Sequence, residues 1–407
     1  MGTTAAESVF DVAIVGGGLV GASLAVALAD TPLKVVLIEA FTPPATAARW
    51  DERCIALNDG SRHLLAQWGV WPSLAPQAAP ITATHISERG RFGMARFSAA
   101  DAGLDALGHN TPLRAVGAAL LVRAQALPAL QWRCPARVQA LALGEKAAQL
   151  TLDTGETISS RLVVAADGAS SALRGLLGLG AEVRDYAQCA LVTAVRVQRD
   201  PSAVAYERFI PTGPFALLPK PRLVHDDAAG FPCSLIWTLP TDDAAQKLAL
   251  DDAAFLGAAQ QAFGERVGRF LAVGQRQSYP LQRTVSETLT APRVVFCGNA
   301  AQSLHPVAAQ GFNLGLRDVA ALASLLREAA LAAADPGDAT ALAAYAAQRE
   351  PDRRRTADFT DRLVRLFSNR LPVLAELRHL GLLALDLTPP AKQSVLRQNL
   401  GHRGLAA

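Results

Sequence analysis

The chain has 407 residues, half of them hydrophobic and 18% charged, with a formal net charge of +3. Such a length supports two domains with substantial cores, and the composition excludes a disordered polypeptide. The small net charge argues against nucleic acid as a partner.

The five cysteines (Cys54, Cys134, Cys189, Cys233, Cys297) are scattered with no C-x-x-C spacing, which predicts a reducing compartment and no metal site. Met1–Ser8 is short and lacks the basic start of a secretory signal. No uncharged apolar run reaches the ~18 residues of a membrane span. The Ala-rich stretch Val319–Ala334 carries Arg327 and Glu328 and reads as a helix of a globular protein. A cytoplasmic location is expected.

Phe10 to Glu39 is the first informative stretch. Val12–Val15 is a short, β-branched apolar run, expected to be a strand buried on both faces. Gly16, Gly18 and Gly21 form G-x-G-x-x-G around Leu19 and Val20, and Ala22–Ala29 is helix-forming. A second buried strand, Lys34–Ile38, ends in Glu39, 18 residues after Gly21. Gly16 permits the tight turn, Gly18 lets backbone approach a pyrophosphate, and Gly21 lets helix and sheet pack closely. The N–H groups of the helix start then face phosphates, and Glu39 can accept hydrogen bonds from an adenosine ribose. The unit predicts a dinucleotide site and leaves NAD and FAD both open.

Pro43-Pro44 follows, then Asp51–Trp71, with a helix expected from Gly60 to Trp68 and ended by Gly69. Arg53 stands in the loop before it. It can reach a phosphate or a flavin edge, or be a plain surface arginine. Ile81–Ser87 and Met94–Ser98 alternate apolar and polar residues and predict a β-hairpin. Val116–Leu130 reads as helix. Arg137–Leu143 and Gln149–Leu152 read as strands.

In Arg161–Ser171 an apolar strand runs into Asp167-Gly168, where a carboxylate at the end of a parallel strand faces a ligand crevice. Taken alone, Asp-Gly is a turn. From Ala187 to about Arg283, short strands alternate with Pro- and Gly-rich turns around a helix at Leu248–Gly264, which predicts an antiparallel sheet.

Arg293–Asp318 is the third informative stretch. Val294–Cys297 is a strand, Gly298-Asn299-Ala300 caps it, and His305-Pro306 is a turn. Gln310, Gly311, Phe312 and Asn313 open the helix Leu314–Glu328, whose free N–H groups suit an anion such as the pyrimidine edge of a reduced flavin. His305 reads as a general base or as a structural histidine. The second is favoured, because no carboxylate partner is identifiable nearby. The tail from Asp352 to Gly404 reads as two or three amphipathic helices broken at Asn369, Gly381 and Pro389-Pro390. Its arginines (among them Arg353, Arg354, Arg355, Arg362, Arg365 and Arg370) form a solvated face or, in the sharper reading, a patch for anionic lipid heads or a partner protein.

These three stretches, in this order, resemble the class A flavoprotein monooxygenases of the p-hydroxybenzoate hydroxylase type. Family members carry an N-terminal G-x-G-x-x-G, a central D-G and a late G-D, here Gly16/Gly18/Gly21, Asp167-Gly168 and Gly298-Asn299. The run GNAAQSLHPVAAQGFNLGLRDV is most similar to the ubiquinone-biosynthesis hydroxylases, in particular the 2-octaprenyl-6-methoxyphenol hydroxylase type. Asp51–Trp71, Tyr186, Gln188, Ala205–Pro219 and Tyr279–Leu281 carry further matches. Two departures stand out. Asn299 replaces the usual aspartate, and Ala308-Ala309 replaces the usual Ala-Gly before Gln310.

The resemblance implies an α/β fold: an FAD-binding Rossmann-like domain with an inserted antiparallel β-sheet substrate domain and C-terminal helices. The FAD-binding domain is expected at 1–79, 101–182 and 287–350, the sheet domain at 80–100 and 183–286, and the helical segment at 351–407. Pro306 joins the implied flavin contacts. The implied reaction is hydroxylation of a polyprenylated phenol, with NAD(P)H as a transient co-substrate, O₂ as oxidant and a flavin C4a-hydroperoxide as the oxygen donor. Tyr206 and Arg208 are the substrate-side candidates. Other ubiquinone-biosynthesis proteins and the inner face of the cytoplasmic membrane are the implied partners. Two alternatives remain open: a hydroxylase of a soluble phenolic metabolite, and a non-catalytic flavoprotein subunit of a quinone-biosynthesis complex. The His305–Asn313 loop disfavours a dehydrogenase that uses NAD alone.

Overall fold

A computed structural model of the chain describes residues 9–42, 53–222, 226, 228–367 and 372–402. Pro43-Pro44, Asp51, Asn369, Arg370 and Gly404 lie outside the described residues.

The apolar runs build one parallel sheet. Val294–Phe296, Thr157–Ala165, Phe10–Val15, Val35–Ile38 and Leu130–Arg133 lie side by side in that order, all parallel. Val12, Ala13 and Ile14 have no exposed surface, because both faces of the sheet are covered. On one face pack the helices Leu19–Ala27, Leu113–Gln125 and Gln310–Leu331. On the other lie Leu150, Leu152 and Leu141 of the strands Ala148–Leu152 and Val138–Leu143. The register sets the ligand end. Val15, Ala165 and Phe296 finish their strands together, so the turns that follow are neighbours.

The second sheet takes its strands from 83–98, 181–286 and 302–303. Its order is Gln302–Ser303, Gln277–Ser286, Ala181–Val197, Phe231–Pro240, Gly213–Pro219, Val204–Ile210, Ala83–Glu88, Met94–Ser98. Pairing is antiparallel except between Val204–Ile210 and Ala83–Glu88, which run parallel. The Ala83–Ser98 hairpin thus extends this sheet. One face is closed by two helices, Thr241–Leu248 and Asp252–Phe263, where a single helix is expected from sequence. Phe255 and Phe263 of the second helix are fully buried against Phe215 and Trp237, each contributing about 1.5–3 kcal/mol of hydrophobic stabilisation. The opposite face looks toward the ligand end of the parallel sheet. A three-stranded sheet (Cys54–Asn58, Gly108–Pro112, Ala79–Ile81) joins the two regions.

The tail differs from its sequence reading. Ala339–Phe367 runs unbroken through Pro351, and Pro372–Leu387 runs through Gly381. Tertiary contacts hold the first of these helices around Pro351. Asp352 bonds Arg317 and Arg349, Arg349 bonds Asp318, and Arg353 caps the carbonyl of Ser286. Pro389 does start a new helix, Pro389–Asn399, where a missing N–H costs nothing.

Candidate active site

Three turns converge at the ligand end of the parallel sheet. Gly16 has φ +105°, and a Cβ there would lie 2.4 Å from the Ala166 carbonyl oxygen. Gly16 thus lets the first turn lie flat against the second. A Cβ on Gly21 would meet the Gly16 oxygen at 1.9 Å, and one on Gly298 would strike Val20 at 2.6 Å. Glycine at these positions closes the helix onto its turn and the third turn onto the helix. Gly18, Gly168 and Gly311 behave differently. Each lines a cavity of about 620 Å³, and a Cβ on any of them would meet no protein atom within 4 Å. This is bare backbone presented to a ligand.

Around it, Leu19, Val20 and the exposed Asn299 line the cavity, with Pro306 and Phe312 at its far end. Glu39 stands over the first turn and accepts the Gly17 N–H at 2.5 Å. Asp167 accepts the Leu173 N–H through Oδ2 at 3.1 Å, while its buried Oδ1 has no partner among the described residues. The helix Gln310–Leu331 has no side-chain cap and no acid in its first turn. Its free N–H groups therefore offer the positive end of the dipole to the cavity.

The opposite wall is the open face of the second sheet. Ala205, Glu207, Pro214, Ala216, Leu218, Ile236 and Thr238 form it, alternate residues of three adjacent strands. Tyr206 also borders the cavity, although its ring packs edge-on against Phe263 at 5.8 Å and tilts over His85. Arg208 lies beside Gly264, its buried Nε without a partner among the described residues. Of the two substrate-side candidates from sequence, Tyr206 therefore borders the cavity and Arg208 does not, and Glu207 between them faces it. It is the only charged residue among the described residues that line it. Burial alone raises its carboxyl to about 7.

A family model described as an FAD binding domain matches residues 9–360. The chain is 38% identical over 400 residues to the ubiquinone hydroxylase UbiL of Rhodospirillum rubrum, covering 98% of this chain and 91% of that protein. It is 32% identical to the 3-demethoxyubiquinol 3-hydroxylase of Escherichia coli, covering 96% and 98%. The chain belongs to the flavin-dependent ubiquinone hydroxylase family. The crystal structure of p-nitrophenol 4-monooxygenase PnpA from Pseudomonas putida DLL-E4 has the same fold, with a TM-score of 0.78 at 16% identity over 98% of this chain and 100% of that one.

This flavin hydroxylase is an FAD-dependent aromatic monooxygenase, and its cavity fits that cofactor. The bare glycines suit phosphates and a flat ring system. The orphaned Asp167 oxygen and the Asn299 amide suit hydroxyls, and the uncapped helix suits a flavin edge that becomes negative on reduction. Other expected contacts have protein partners instead. Asn313 is buried, accepting the Asn58 N–H at 3.0 Å and donating to Ala56 and Ala309. It clamps the helix to the Cys54–Asn58 strand. Gln310 donates to Asn399 Oδ1 at 3.2 Å, tying the helix to the C-terminal one. Arg53 is half-buried, its guanidinium 5.3 Å from the Tyr279 ring centre and outside the set that lines the cavity.

His305 is buried, and its Nδ1 accepts the Val307 N–H at 3.1 Å. That bond places the ring proton on Nε2, which is buried without a partner among the described residues. Burial lowers its pKa to about 4, so the ring is neutral at physiological pH. His305 stands edge-on to Tyr186, whose hydroxyl donates to Asp361 at 3.1 Å. Away from the cavity, Asp59, His63 and His402 bring ligand atoms within 4.8 Å. There His402 and His63 already hold the Asp59 carboxylate, and Arg62 lies against His63.

Proposed function

We propose that this enzyme hydroxylates the aromatic ring of a polyprenylated phenol on the route to ubiquinone. The observation that carries this reading is the single cavity joining the nucleotide cradle to an apolar sheet face. A phenol ring fits between the two walls, and Ala216, Leu218, Ile236, Ile55 and Leu113 offer an apolar surface to its prenyl chain. The bare backbone at Gly18, Gly168 and Gly311 would hold FAD, which would supply the redox chemistry that activates dioxygen. The protein's part is to hold the ring still, keep water out and manage the phenolic proton. An apolar wall with one carboxyl group serves all three tasks.

A substrate with a prenyl chain is stored in membranes, and the surface carries a matching feature. Phe92 is 97% exposed, and Met94, Leu380, Leu383 and Leu387 are exposed beside it. Gly93 bonds His379 and Arg96 bonds Asp386, which seats the hairpin on the Pro372–Leu387 helix. Exposed Arg89 and Arg91 flank this patch, the combination that suits an interfacial protein. Among the described residues no helix is long and apolar enough to cross a membrane.

The test compares kcat/KM for a prenylated phenol with that for its unprenylated head group. A large preference for the prenylated compound is expected. Equal values would move the assignment to hydroxylation of a soluble phenol. Complementation of strains blocked at single ubiquinone hydroxylation steps then identifies the ring carbon.

A further inference from the structure

We infer that Glu207 is the catalytic base that takes the phenolic proton of the bound substrate. The inference rests on the phenol-hydroxylase reading above and adds a residue to it. Glu207 belongs to the strand Val204–Ile210, paired with Ala216 on one side and Ile86 on the other. Strand alternation sends the Tyr206 ring and Arg208 to the helix-covered face and Glu207 to the cavity. Neither carboxylate oxygen has a hydrogen-bond or ion-pair partner among the described residues. A half-buried, partnerless acid facing an apolar cavity carries a desolvation cost, and a structural role would satisfy it with an arginine or an amide.

The groups facing Glu207 are uncharged. The neighbouring strands present Thr84, Ala216, Ile236 and Thr238, the cofactor side presents Ser303, and Tyr206 and Cys54 are the other ionisable types in the lining. No cation is at hand to stabilise the carboxylate, and burial raises its pKa to about 7. An ordinary phenol near ~10 lies about three units above that, against about six for an exposed glutamate. A base near the working pH is the effective choice.

The step is a proton transfer. The phenol O–H bond breaks, its electron pair stays on oxygen, and an O–H bond forms on Glu207. The phenolate is the more electron-rich ring for attack on an electrophilic oxygen. Once the ring is hydroxylated the proton returns to the same phenolic oxygen, so Glu207 ends the cycle unchanged.

The experiment uses FAD-loaded wild-type protein and Glu207→Gln, a variant that keeps shape and hydrogen bonding but cannot take a proton. Wild-type kcat/KM for hydroxylation should rise with pH through about 7 as the carboxylate forms, and this rise should be missing in the variant. Hydroxylation should fall roughly 10²–10⁴-fold, with FAD content and NAD(P)H-driven flavin reduction unchanged. Ring-halogenated phenols of lower pKa should recover much of that loss. The same pH–rate rise in Glu207→Gln would overturn the inference, as would a loss that ignores phenol acidity. If wild-type protein hydroxylates no phenol, the substrate reading itself falls. Wild-type turnover beside an unaffected variant removes Glu207 alone.

Discussion

Gly18 and Gly16 are two residues apart and should fail in opposite ways when each is replaced by alanine. Gly18 has φ −65° and ψ −173°, ordinary for alanine, and its Cβ would meet no protein atom within 4 Å. Apo-protein stability should therefore hold, or rise by about 0.4–1 kcal/mol as the unfolded chain loses freedom. The methyl group instead projects into the cavity where the phosphates approach. Crowding of that kind costs about 1–3 kcal/mol, which is a roughly five- to 150-fold weaker hold on FAD. Gly16→Ala meets the Ala166 oxygen at 2.4 Å at a φ of +105°. Steric clash and left-handed strain together cost about 2–5 kcal/mol of folding stability. The assay pairs denaturant unfolding of apo protein with a flavin fluorescence titration. Wild-type FAD affinity in Gly18→Ala would refute the placement of the phosphates at Gly18. Lost apo stability there would show that Gly18 serves the fold instead.

Ala309 caps the Gln310–Leu331 helix at φ +49°, ψ +37°, a left-handed conformation costing an L-residue roughly 1–2 kcal/mol. Ala309→Gly relieves that strain against a loss of about 0.4–1 kcal/mol through unfolded-state entropy, so the apo protein should gain up to about 1.6 kcal/mol. A lower denaturant midpoint would contradict the strain. His305 has a folded pKa of about 4 against an ordinary 6.5. Its neutral form is the one that folds, so its contribution is whole above pH 6.5 and drains away as pH falls toward 4. Over that window the loss reaches about 3 kcal/mol. His305→Asn, which keeps an acceptor for the Val307 amide, should flatten this acid limb in denaturant midpoints taken between pH 7.5 and 4. An unchanged slope would show that other groups control it.

The cradle was legible because its physics is local. A buried strand, a glycine turn, a helix and a terminal acid follow one another within Phe10–Glu39, and the register of the parallel sheet brings Asp167-Gly168 and Gly298-Asn299 to the same end. The opposite wall was not legible. Tyr206, Glu207 and Arg208 lie on a strand with both faces sheltered, one by helices and one by the cavity. Apolar alternation cannot say which face is which, so the choice fell on the two neighbours of Glu207. A signal was nonetheless present: Glu207 is the one acid in Ala205–Leu218. Gln310 and Asn313 misled for another reason. The helix begins at Gln310, about a turn earlier than its apolar pattern suggests. Asn313 therefore falls inside the helix and reaches the Cys54–Asn58 strand, a partner 255 residues away for its bond to Asn58. Pro351 and Gly381 are breakers only in isolation. In the folded chain the Asp318–Arg349–Asp352–Arg317 ion network holds the first of those helices.

The most direct measurement is a crystal structure of the FAD-loaded protein with a prenylated phenol bound. The account predicts the isoalloxazine between the Gly298–Asn299 turn and the Pro306–Phe312 segment, with the phenol on its sheet-facing side and the phenolic oxygen within hydrogen-bond reach of Glu207. A phenol bound on the helix-covered face beside Tyr206, or an isoalloxazine outside the cavity, would contradict it.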